Sequence, residues 1–100
     1  MEEIFSKYVE QPEIDGRRFK ISLEAFQKLP TQQFKVRHDP SNKTWWCQRG
    51  ERSRQYYLYV TDWVHFVETL GIGEAGSRIS LHEEVDHSSP DAPSSYVFKD

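Results

Sequence analysis

Three arginines, Arg49, Arg52 and Arg54, fall within six residues, flanked by Gln48 and Gln55 and interrupted by a single acid, Glu51. A guanidinium forks a phosphate or the edge of guanine with two parallel hydrogen bonds, and a glutamine amide can pair with adenine. This is the chemistry of polyanion gripping and base-edge reading. The plain alternative is a charged hairpin tip that only keeps the surface hydrated. Arg17, Arg18 and Lys20 form a second cationic group further upstream.

Other groupings offer less. Gly71-Ile72-Gly73-Glu74-Ala75-Gly76 has the spacing of a dinucleotide fingerprint. That motif needs a strand before it and a helix after it, so that a pyrophosphate rests on the helix N-terminus. Here the pattern runs from helix to strand, which predicts a helix-ending turn. His82 to His87 collects two imidazoles and three carboxylates in six residues. Its histidines are five apart in strand and loop, not four apart on a helix face, and the segment reads as a solvated acidic edge. His38 and His65 have no serine or cysteine at a recognisable catalytic spacing, and the lone Cys47 cannot close an internal disulfide. No enzyme activity, metal or small-molecule cofactor is expected.

The 100-residue chain has a net charge of −3, which taken whole disfavours a nucleic-acid partner. Its distribution reverses that reading. Residues 1–16 carry −4, residues 17–54 hold ten cations against three acids for +7, and residues 55–100 carry −6. A polyanion responds to the local field, because salt screens beyond about 8 Å. The length suits one domain with one core. Aromatics at 14% supply the large rings such a short chain needs to bury. No apolar run approaches the ~20 residues that cross a bilayer. The acidic start, Met1 to Phe5, lacks the basic region of a signal peptide, so an intracellular protein is expected and Asn42-Lys43-Thr44 is taken as a chance sequon.

The elements that must position the cations follow from periodicity. Glu3 to Val9 alternates loosely as a strand, and Glu10 to Gly16, with Pro12, Asp15 and Gly16, reads as a turn. Arg17 to Ile21 alternates as a half-buried strand. Ser22 caps a short helix with Leu23, Phe26 and Leu29 on one face, stopped by Pro30. Gln33 to Arg37 and Lys43 to Arg49 alternate around the turn Asp39 to Asn42, and Gly50 to Ser53 reads as a polar connection. Tyr56 to Val60 is β-prone throughout. Thr61 is the expected cap of a second helix, in which Trp63, Val64, Phe66, Val67 and Leu70 recur at helical spacing up to Gly71. Arg78 to His82 alternates again, residues 86–95 form a polar loop, and Tyr96 to Phe98 is a last strand or a frayed tail. Trp45, Trp63, Phe19, Phe34 and Phe66 are expected in the core. Trp46, next to Trp45, must face the other way, into a second packed layer or into solvent. The sum is a mainly β, seven-stranded open pseudo-barrel with two short helices, in a single domain spanning residues 1–100.

From Arg17 to about Leu81 the order of elements resembles the plant B3 DNA-binding domain. The similarity is carried by Arg18-Phe19-Lys20-Ile21 with the helix to Leu29-Pro30, and by Phe34-Lys35-Val36-Arg37-His38-Asp39 followed by Thr44-Trp45-Trp46-Cys47. It is strongest in Tyr57-Leu58-Tyr59-Val60-Thr61-Asp62-Trp63-Val64-His65-Phe66-Val67, and Leu70-Gly71-Ile72 matches the helix end. Asp62 departs from the family's usual glycine, and Gly73 to Gly76 only approximates its Gly-Asp turn. The resemblance implies a nuclear transcription-factor domain that grips duplex DNA in the major groove with two loops. These correspond to Gln11–Arg18, where Glu13 and Asp15 oppose phosphate, and Gln48–Gln55. Arg17, Arg18, Arg52 and Arg54 are then expected on phosphates, and Gln48, Arg49 and Trp46 on base edges or sugars. Lys20, Ser53 and Gln55 complete the expected surface, with other transcription factors as further partners. The rival expectation is a barrel that has lost DNA and recruits proteins through its aromatic or acidic face.

Overall fold

Residues 2–84 and 95–99 are described by the computed structural model; the polar loop expected over 86–95, apart from Ser95, and His87 lie outside the described residues. The chain runs β1 (Glu2–Tyr8), α1 (Gln11–Gly16), β2 (Arg18–Ile21), α2 (Leu23–Lys28), β3 (Phe34–His38), β4 (Thr44–Arg52), β5 (Gln55–Val60), α3 (Trp63–Leu70), β6 (Arg78–Glu84) and β7 (Ser95–Lys99). The seven strands form one sheet in the order β1-β6-β7-β3-β4-β5-β2. All neighbours are antiparallel except β3 and β7, which run parallel. The mainly β, open pseudo-barrel expected from the sequence is thus present.

Alternation along the strands sets the two faces of this sheet. Phe19, Ile21, Phe34, Val36, Trp45, Cys47, Leu58 and Val60 point inward and are buried. They pack on Trp63, Phe66 and Leu70 of α3. Phe66 is the hub, with ring centroids of Trp45, Trp63, Phe19 and Phe98 all within 5.0–5.8 Å of its own. All five aromatics expected in the core are there. Leu23 is not, being exposed on the solvent side of α2 while Leu29 is buried.

Three local expectations are corrected. Residues 11–16 are a helix rather than a turn: Pro12 sits in its first turn, where no backbone donor is lost, and Glu13 reaches back to the Glu10 amide at 3.0 Å. Among the described residues there are therefore three helices. Gly50 to Arg52 continue β4 instead of leaving it, so the hairpin is tight, with Ser53 and Arg54 as its two-residue tip. Thr61 does not cap α3. Its hydroxyl donates to the Trp46 carbonyl at 2.9 Å, and Asp62, in the left-handed region at φ 53°, holds the cap position. Of the two alternatives for residues 96–98, the strand is the one present: they pair with both β6 and β3, and Val97 and Phe98 are buried.

At Gly71 the helix does end as its sequence requires, in the left-handed region at φ 70°, with the amides of Gly71 and Ile72 both returning to the Val67 carbonyl. The glycine-rich stretch is thus a helix-terminating turn that leads to β6.

β1 and β2 are the two edges of the sheet, and the seam between them is closed by side chains. Glu13 Oε2 accepts from the Lys20 amide at 2.8 Å, and Lys7 Nζ donates to the Lys20 carbonyl at 2.8 Å. Lys7 and Glu13 are also paired with each other. The exposed edge of β2 thereby meets an ion pair where another strand would lie.

Candidate nucleic-acid interface

The outward positions of the strands bring the expected cations together. Residues directly opposite in an antiparallel pair share a face. Arg18 lies opposite Tyr59 and Lys20 opposite Tyr57. Gln48 lies opposite Tyr59, Gly50 opposite Tyr57 and Arg52 opposite Gln55. Lys35 lies opposite Trp46 and Arg37 opposite Thr44. None of these residues shares a side with the buried set, so β2, β5, β4 and β3 present one outer surface of cations, glutamines and rings.

Two aromatic contacts organise that surface. The Arg18 guanidinium lies 4.4 Å from the centre of the Tyr57 ring, held by the ring's negative face. The Tyr57 hydroxyl donates to Gln55 Oε1 at 2.8 Å, which fixes the amide's orientation. Gly50 leaves space on the outer face that the Tyr59 ring occupies: a Cβ there would sit 2.5 Å from Tyr59 Cε2. The floor beside the hairpin is accordingly flat.

Between α1 and the β2–β5 ladder lies a cleft of about 250 Å³, lined by Glu10, Pro12, Glu13, Arg18, Lys20, Gln55 and Tyr57. It joins the two segments that the sequence treats as separate loops. Glu13, one of the two acids that would oppose phosphate there, is only 6% exposed and engaged by Lys7 and the amides of Lys20 and Glu10. Asp15 accepts from Gln11 Nε2 and lines a different groove, with Ile14, Arg17, Trp63 and Val64.

The remaining candidates divide. Arg52 and Arg54 are exposed at the hairpin, with Ser53 between them, and Gln48 is exposed on the outer face. Trp46 is 49% exposed, which settles its side, and Lys35 Nζ lies 5.3 Å from its ring centre. Arg49 has the parity of Trp45 and Cys47. Its guanidinium lies 4.2 Å from the Phe26 ring centre and donates to the Phe26 carbonyl at 2.8 Å, so it ties β4 to α2. Arg17 ends α1 in the left-handed region at φ 59° and lines the groove shared with α3, apart from the cleft.

Among the described residues, ion pairs engage Lys7, Lys28 and Arg37, and none engages Arg18, Lys20, Lys35, Arg52 or Arg54. Lys35 is the residue the sequence reading missed; its signal was the same alternation that places Trp46, carried across to β3. A wider groove of about 610 Å³ borders β3, lined by Lys35, Arg37, Thr44 and Tyr96 among others. No three His, Cys, Asp or Glu side chains converge as a metal would need, among the described residues. Burial drives the Cys47 thiol well above the ordinary thiol range, which suppresses the reactive thiolate.

No family model matches the sequence, and no curated protein matches it. Among solved structures, the Arabidopsis FUS3–DNA complex is similar in fold: the TM-score is 0.71 at 15% identity, over 97% of this chain and 94% of that one. FUS3 is a B3-domain factor. The fold of this chain is therefore that of a B3 domain, as its resemblance from Arg17 to Leu81 implied.

Proposed function

We propose that the chain is a duplex-DNA-binding domain of a nuclear transcription factor, gripping DNA between α1 and the β4–β5 hairpin. One observation carries this reading: Arg18, Lys20 and Arg52 share an outer surface with Gln48 and Gln55, Arg54 is exposed at the adjoining hairpin tip, and all four cations are free of ion pairs among the described residues. Cations already neutralised by internal carboxylates would release no counterions from DNA; these retain that capacity. Arg52, Arg54, Arg18 and Lys20 take phosphates, and Gln48 and Gln55 face base edges, with the hairpin entering the major groove. The DNA complex of the similar fold supports the same partner. Arg17 and Arg49 play lesser parts, since one lines another groove and the other holds α2.

Titration with mixed-sequence duplex at several salt concentrations tests this. Binding is expected to weaken with salt at about −0.9 in log–log slope per phosphate neutralised. Arg52→Ala and Arg54→Ala should each lower affinity severalfold and flatten the slope by about one such unit, with melting temperatures within a few degrees of the parent. Salt-independent binding, or affinity unaltered in both variants, refutes the proposal.

The groove between α1 and α3 favours a second reading, a protein-recruiting module. Val64 is 54% exposed there, beside Ile14 and Trp63. Amide shifts confined to residues 14–17 and 63–68 on adding duplex, with none at 48–55, would favour it.

A further inference from the structure

We infer that the DNA-contacting surface does not stop at the cleft and hairpin but continues along the outer face of β4 onto β3, where Lys35 and Trp46 form an additional contact to the backbone of the flanking duplex. The inference rests on the reading of the chain as a DNA-binding domain.

The strand geometry makes the surface continuous. On β4, Arg52, Gly50, Gln48 and Trp46 all point outward, and at about 3.3 Å per residue they extend roughly 20 Å along the sheet. That length matches about six base-pair rises along the axis of a DNA duplex. Lys35 stands opposite Trp46 in the β3–β4 ladder, one strand spacing further on. The face carries no carboxylate at these outward positions of β2, β4 and β5, so no like charge to phosphate stands at them between Arg52 and Trp46.

Lys35 and Trp46 are built for contact with a sugar–phosphate chain. The ammonium lies over the indole at 5.3 Å, which limits its rotamers before any ligand arrives. It forms no ion pair among the described residues, unlike its neighbour Arg37, which is committed to Asp39 and Glu84. Trp46 leaves 49% of its surface in solvent, whereas Trp45 and Trp63 are buried. Thr61 donates from its hydroxyl and its amide to the Trp46 carbonyl on one side and β3 pairs with β4 on the other, so the strand beneath the exposed ring is held on both sides. An exposed indole with a preset ammonium offers an apolar plate for a deoxyribose and a charge for its phosphate.

The test compares Lys35→Ala with Arg78→Ala, an exposed cation on β6, and follows tryptophan quenching by acrylamide. With mixed-sequence duplex of about 20 base pairs, Lys35→Ala is expected to lower affinity about three- to tenfold and to flatten the salt slope by about 0.9, while Arg78→Ala changes neither. Saturating DNA should shield the quenchable tryptophan of the parent protein, and that shielding should vanish in Trp46→Phe. If Lys35→Ala behaves as Arg78→Ala does, or DNA leaves quenching unchanged, the extended contact is wrong. Arg54→Ala separates the two claims: loss of affinity there with no Lys35 effect overturns only the extension, whereas a parent protein that does not bind duplex overturns both.

Discussion

At the hairpin tip, Ser53 and Arg54 both have positive φ, 53° and 64°. This is the backbone of a two-residue primed turn, in which asparagine and glycine sit without strain. A residue with a Cβ held left-handed costs on the order of 1 kcal/mol. An arginine where glycine would relax the chain is consistent with a side chain kept for what it touches. Arg54→Gly is therefore expected to stabilise the fold by about 1 kcal/mol, a rise of ~4–8 °C in melting temperature for a domain of this size, while weakening duplex binding. Calorimetry and a DNA titration on the same preparation check both halves, and a lower melting temperature would remove the strain argument. Single residues were largely legible where parity decides. Counting by twos from Trp45 puts Trp46 and Gln48 outside and also puts Arg49 inside, a step hidden by grouping all three arginines by charge. The strain at Ser53 and Arg54 was not legible, because it depends on the strands pairing through to Arg52.

At the scale of elements, α1 depends on one buried carboxylate. Glu13 holds the Glu10 amide within the helix, the Lys20 amide on β2 and Lys7 on β1. Glu13→Ala leaves a buried amide and a part-buried ammonium without their partner, at a cost of about 2–4 kcal/mol. Urea unfolding should show a midpoint lowered to match. Since α1 forms one wall of the cleft, DNA affinity should fall in Glu13→Ala even at temperatures where the domain remains folded. Unchanged stability would mean that Glu13 does not hold the seam. This helix was unreadable from its own six residues, whose proline, aspartate and glycine have turn composition. What stabilises it is contact with two strands that lie on either side of it in sequence. The long amphipathic helix α3 and the strands, by contrast, were legible because their periods are internal.

For the molecule as a whole, alkali is expected to act through Tyr96. Burial first, and then the Glu83 carboxylate, push its hydroxyl up to about 12 from an ordinary 10. A raised acid is disfavoured as its anion in the fold, so this contribution to stability is complete below pH 10 and is lost as pH rises through about 12. Urea midpoints measured from pH 9 to 12 should fall more steeply for the parent than for Tyr96→Phe; parallel curves would rule the effect out. The global order of strands was the least legible level, since no local pattern in residues 95–99 announces that they will pair parallel to residues 34–38.

That placement has a consequence for how the protein comes into being. In the hydrogen-bonding order of the described strands, β7 joins the β1–β6 pair to the β3-β4-β5-β2 ladder. It is also the last of the seven to emerge from the ribosome. The four strands that carry the basic face can thus pair with one another before residues 95–99 are available, but their hydrogen-bonded link to the β1–β6 pair waits for those residues. Closure of the sheet is therefore a late step, slowed by the long chain excursion that must close before its final ladder can form.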